Sequence, residues 1–177
     1  MGHLSLEEFL NLKADIEKMP DRARINIKKI EYVDSPKPMP TEYGEAFSED
    51  TAGGEVFAKT KTIVFYKTKY DLAGEIKMCE YHEVGHLQAW DSNDLLNLDE
   101  RMQLLFNILA RVNAPDRFHS DYVEKINYSD PIIRMKKKSD EYYAEIWSAY
   151  FRNNKNLPEV DRAIIEWVLQ KMNEKKL

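Results

Sequence analysis

His82-Glu83-Val84-Gly85-His86 constrains this chain more than any other stretch of it. Residues four apart on an α-helix lie one above the other on one face, so a helix through this segment aims both imidazoles at one point. Glu83 follows the first histidine directly, close enough to hold a water molecule at that point and take its proton. The H-E-x-x-H pattern therefore predicts a helix that binds Zn²⁺ and hydrolyses an amide. Gly85 costs about 1 kcal/mol relative to alanine inside such a helix. A position without a side chain beside the metal-facing side offers a return, because another segment can approach closely there.

The residues before the motif fit this reading. Lys61-Thr62-Ile63-Val64-Phe65-Tyr66 is β-branched and aromatic and reads as a strand. A turn-like stretch, 67–74, leads into Glu75–Tyr81, which runs into the motif without a breaker. Gly53-Gly54-Glu55-Val56-Phe57 reads as a neighbouring strand, and one of the two strands forms a free edge. An endopeptidase needs such an edge, since an extended peptide can pair with it and be held over the metal.

A catalytic zinc site takes three protein ligands and leaves the fourth position for water. His3, in Met1-Gly2-His3, resembles an expression leader and is set aside. His119 lies in a loop-like stretch, and Cys79 reads as a small buried hydrophobe. The stronger candidate is in Ser139–Phe151, where Ser139 or Asp140 is the expected N-cap of a mostly buried helix. Glu141 and Glu145 share one face of it. Buried carboxylates need a partner, and zinc on Glu141, with Glu145 hydrogen-bonding a ligand histidine, supplies one. The competing reading is that both glutamates line a solvated stripe.

The pair of motifs, His82-Glu83-x-x-His86 and Glu141-Tyr142-Tyr143-Ala144-Glu145, resembles the protease domain of anthrax lethal factor and its relatives. That group includes the clostridial secreted proline-specific endopeptidases. The resemblance runs from about Thr60 to Trp167 and implies a gluzincin, a metalloprotease with two histidines and a glutamate on zinc. It implies that His82, His86 and Glu141 are metal ligands, Glu83 the general base and Glu145 the supporting carboxylate. The family usually carries a tyrosine seven residues before the ligand glutamate as oxyanion donor, and that position here is Arg134. Arg134 can substitute as a cationic donor, or Tyr128 can enter the site from a longer loop, with Tyr122 behind them. Two rivals remain open. One is a small intracellular regulatory protease of the type that cleaves phage repressors. The other is a zinc-binding interaction module without peptidase activity.

The rest of the chain sets the frame. Its 177 residues, 43% hydrophobic and 32% charged, suit one globular domain over 1–177. A net charge of −5 argues mildly against nucleic acid as partner; a peptide or protein substrate is what the H-E-x-x-H motif and the resemblance imply. No apolar run approaches the ~20 residues of a membrane span, and no signal-peptide pattern opens the chain, so the compartment stays open. A single cysteine excludes an internal disulfide. Ser5-Leu6-Glu7-Glu8 is a capping box for a helix to Met19, which packs behind the sheet or covers the cleft. Ile25–Val33 reads as a strand, Ser35–Pro40 as a stiff connector, and Glu42–Phe57 as a hairpin or irregular sheet. Leu95–Val112 reads as an amphipathic helix with the stripe Leu98, Met102, Leu105, Ile108 and Leu109. Asn113–Lys138, with its Lys136-Lys137-Lys138 run, reads as a long loop over the cleft. Pro158 opens a last helix with Val160, Ile164, Trp167, Val168 and Met172 on its apolar face. The expected fold is α+β: a zincin with a small twisted mixed sheet packed on the zinc helix and a mostly helical C-terminal half.

Overall fold

A computed structural model describes residues 6–35, 37–38, 51–52, 54–66, 76–118, 123–124 and 126–175. The elements in order are α1 (Leu6–Lys18), α2 (Asp21–Arg24), β1 (Lys29–Val33), β2 (Lys37–Pro38), β3 (Thr51–Ala52), β4 (Gly54–Phe57), β5 (Thr62–Tyr66), α3 (Ile76–Gln88), α4 (Leu98–Arg111), α5 (Pro131–Phe151) and α6 (Glu159–Glu174). The fold is α+β, as the residue patterns predict.

The main sheet is mixed, in the order β1-β5-β4. β1 runs parallel to β5, and β4 antiparallel to it with Gly54 opposite Phe65. The strand expected over Ile25–Val33 is shorter, because Ile25 and Asn26 close α2 instead. Asn26 is buried there, donating through Nδ2 to Gln88 Oε1 at 2.8 Å and Asn93 Oδ1 at 3.0 Å. β5 is central and buried over Thr62–Phe65, so among the described residues the strand next to α3 with an unpaired side is β4. Between them, Lys61 turns the chain with a φ of 55°. Its ammonium reaches the Ser92 carbonyl and pairs with Asp94 at 2.9 Å, fixing the turn that leaves α3.

Ile63 and Phe65 face the helices. Phe9, Leu12 and Ile16 of α1 are buried, and Phe9 stacks on Tyr32 and meets Phe65. α1 is thus a core element against the sheet and α3; Ser5 of its expected capping box lies outside the described residues.

α3 packs most extensively on α5, and Gly85 is the reason they come so close. A Cβ at that position would lie 2.9 Å from the Ala144 Cα and 3.0 Å from the Trp147 Cβ. Gly85→Ala gains about 1 kcal/mol of helix propensity, but overpacking against backbone costs about 1–3 kcal/mol. The packing term wins. Urea unfolding of Gly85→Ala is expected to show a lower midpoint than wild type, and an equal or higher midpoint would contradict this packing.

The N-cap of α5 lies nine residues before Ser139 and ten before Asp140. Asp130, not Ser139 or Asp140, is the N-cap: its Oδ1 accepts from the Ile132 and Ile133 amides at 2.7 and 3.1 Å, and Pro131 opens the first turn. Lys136, Lys137 and Lys138 therefore lie on the helix rather than in a loop. Asn97 caps α4 through a reciprocal pair with Glu100, each bond 2.9 Å. The α4 stripe also differs from the expected one. Leu104, Ile108 and Arg111 are buried, while Leu98 is 74% exposed and Met102 is exposed too. An arginine holds a core position there, which a purely apolar criterion passes over. On α6, Ile164, Ile165, Val168, Leu169 and Met172 are buried, whereas Val160 is exposed. No helix among the described residues is long and apolar enough to cross a membrane.

Candidate metal centre

Two helices supply the donors. On α3, His82 and His86 stand one turn apart with ring centroids separated by 4.8 Å. On α5, Glu141 comes one turn before Ala144, whose backbone meets Gly85. That close approach carries the carboxylate to the imidazoles. His82 Nε2 lies 3.0 Å from Glu141 Oε2, His86 Nε2 lies 3.1 Å from His82 Nε2, and His86 Nε2 lies 3.5 Å from the same Glu141 oxygen.

These separations test whether a metal fits. Ligand atoms about 2.0–2.1 Å from a tetrahedral ion are ~3.3 Å from one another, and the three observed distances bracket that value. One carboxylate oxygen and two ring nitrogens converge on a common point, so His82, His86 and Glu141 form a group that can hold a metal ion.

The electrostatics are those of ligands that must lose a proton to bind. Burial opposes charge on His82, but the hydrogen bond to Glu141 and its negative charge outweigh it and raise His82 to about 9. His86 is raised in the same way, with burial again opposing the Glu141 charge. Burial also opposes ionisation of Glu141, yet His86 and His82 hold its carboxyl well below the usual carboxylate range. Without metal the group is thus a buried ion pair at neutral pH. A metal must displace the His82 proton, so its affinity is expected to rise with pH by about tenfold per unit for each proton displaced and to level off above about 9. A chelator competition series, with calorimetry in two buffers of different ionisation enthalpy to count released protons, checks this. A pH-independent affinity would contradict it.

Glu83 is 7% exposed. Burial raises its pKa, while the positive charges of His82 and His86 oppose the rise. That direction suits a group that must accept and return a proton near neutral pH. Glu145 is buried one turn after Glu141, near enough for its charge to raise His82. The competing reading of a solvated stripe is thereby overturned: both carboxylates lie inside, as the aromatic-rich helix predicts. Arg134 sits two turns before Glu141 on α5, about 10 Å along the axis, and its guanidinium donates to Asn127 Oδ1 at 3.3 Å. Tyr128 is half-buried just ahead of the Asp130 cap. His3, His119 and Tyr122 lie outside the described residues.

Several residues around the site belong to neither motif. Gly54 faces the Glu83 side chain. Glu55 accepts a hydrogen bond from the Tyr66 hydroxyl at 2.8 Å, its charge acts on Glu83, and burial together with Glu55 pushes Tyr66 up to about 12. Behind Glu141, Asp161 accepts from Arg111 Nε at 2.9 Å and from the Tyr142 hydroxyl at 2.9 Å. Tyr143 donates to the Gln88 carbonyl at 3.2 Å. The aromatic pair that follows Glu141 thus anchors α5 to α6 on one side and to the end of α3 on the other. A hydrophobic pattern could suggest that both tyrosines are buried, but not which acceptors they find.

The fold and site define an α+β protein with a largely buried group of two histidines and one carboxylate that can hold a metal ion. Comparison with known protein families, with curated proteins and with solved structures finds no match to the chain.

Proposed function

We propose that this protein is a zinc-dependent endopeptidase of the gluzincin type, with the lethal factor-like arrangement that its two motifs resemble. The observation that carries the reading is the convergence of His82, His86 and Glu141 at tetrahedral spacing, with Glu83 buried between that group and the strand β4. Two imidazoles and one carboxylate are a donor set of catalytic rather than structural zinc, since structural sites close all four positions with protein ligands. Zinc held by His82, His86 and Glu141 would supply Lewis acidity, to polarise a scissile carbonyl and make water a nucleophile at neutral pH.

The chain's own residues do the rest. Glu83 takes the proton from the attacking water and returns it to the leaving amine. Glu141 would bring one negative charge to a bound ion, and His82 and His86 would supply its two neutral protein donors. The side of β4 that pairs with no strand among the described residues offers backbone donors and acceptors to an extended peptide or protein substrate. Arg134 and Tyr128 are the candidates for the developing oxyanion.

Two measurements on the purified protein test this. Elemental analysis is expected to give one zinc per chain. Digestion of a mixed peptide library is expected to yield internal cleavages that a chelator abolishes and added zinc restores. Zinc without cleavage would leave a metal-binding interaction module; no metal even after zinc is added back would sink both.

A further inference from the structure

We propose that Gly54 is a positioning residue for the Glu83 carboxylate. The missing side chain on the edge strand is the space in which that carboxylate sits. This rests on the endopeptidase reading for its catalytic consequence, though not for its geometry.

A Cβ at residue 54 would lie 2.7 Å from Glu83 Cγ and 2.8 Å from both Cδ and Oε1. The three nearest atoms all belong to Glu83. Gly54 is not in the left-handed region, and glycine weakens a strand interior, so backbone conformation does not explain it. Close approach does. Gly54 pairs with Phe65, so it looks toward the helices from the sheet. Glu83 looks back at it from α3 and is almost wholly buried.

The conflict produced by a larger residue falls on a side-chain end rather than on backbone. Ordinary contact begins near 3.4 Å, so from 2.7 Å the Glu83 chain must move by 3.4 − 2.7, about 0.7 Å. A displacement of about 1 Å in a reacting group can cost about 100-fold in rate. Gly54→Ala should therefore misplace the base while leaving the ligands His82, His86 and Glu141 in position. β4 is also the strand proposed to receive substrate, so its contact with Glu83 sets the distance between peptide and base.

The test uses the zinc-loaded full chain. In urea unfolding, Gly54→Ala is expected to lower the midpoint in the wild-type background and not in the Glu83→Ala background. In peptide hydrolysis, Gly54→Ala is expected to lower kcat by about 10- to 100-fold, with KM and zinc content unchanged. The same substitution should cost less when added to Glu83→Asp, whose shorter chain relieves the conflict. Equal midpoint shifts in both backgrounds, or an unchanged kcat, would overturn the proposal. Should the wild type cleave no peptide, the endopeptidase reading fails by itself, and the unfolding cycle still decides whether residue 54 places the Glu83 carboxylate.

Discussion

Glu83→Gln is expected to reduce kcat by about 100- to 10,000-fold, the usual contribution of a positioned general base, without loss of zinc. The substitution keeps the side chain's length and volume, so it preserves the contact with Gly54. It removes the capacity to accept a proton from water. Glu83 is not among the converging donors, which are His82, His86 and Glu141, so zinc content should stay at one per chain. Single-turnover kinetics with metal analysis on the same preparation separates the two quantities. If Glu83→Gln cleaves peptides as fast as wild type, Glu83 is not the base and the hydrolytic reading loses its centre. If zinc leaves together with activity, Glu83 belongs to the ligand set.

Glu141→Ala is expected to weaken zinc binding by more than about 100-fold, because even the outer partners of ligand residues cost 10- to 100-fold when removed. The carboxylate oxygen sits 3.0 and 3.5 Å from the two imidazole nitrogens, so its loss leaves two neutral donors, too few to close the site. It also removes the charge that raises His82, which makes the two effects distinguishable. In the metal-free protein, the His82 titration followed by NMR should fall from about 9 toward the ordinary histidine range. His119→Ala should keep its zinc. Retention of zinc by Glu141→Ala after dialysis would assign the third ligand to another residue, with Glu145 and His119 the first to examine.

His82, His86 and Glu141, the group that can hold a metal ion, were legible in sequence because each pair of candidates follows a local period, and the resemblance of the two motifs singled out Glu141 over Glu145. His82 to His86, and Glu141 to Glu145, are spacings of a single helical turn, and helical geometry depends only on hydrogen bonds along the same backbone. The same logic gave the wrong start for α5. The aromatic density from Tyr142 onward marks where the helix becomes buried, but its first two turns are half polar and are set by Asp130 and Pro131 upstream. On α4 the apolar stripe misled because Arg111 occupies a core position. The stripe is readable only once Asp161, fifty residues later, is known to meet the guanidinium. A pair of buried opposite charges has no signature until the chain brings them together.

Gly54 and Glu55 show the same limit at the site itself. Neither belongs to a motif, and the reason for a glycine at 54 is a side chain twenty-nine residues away on another element. The sequence by itself determined the chemistry on offer: two imidazoles and a glutamate at helical spacing, a second helix bearing a carboxylate, and strands next to the first. Tertiary structure alone decided that β5 lies inside the sheet while β4 keeps an unpaired side among the described residues. It also decided that Gly85 lets α5 reach α3 until Glu141 stands 3.0 Å from His82. The difference is physical. Periodicity is enforced by bonds between near neighbours, whereas a contact spanning fifty-nine residues exists only after burial of the whole core has fixed where each helix can lie.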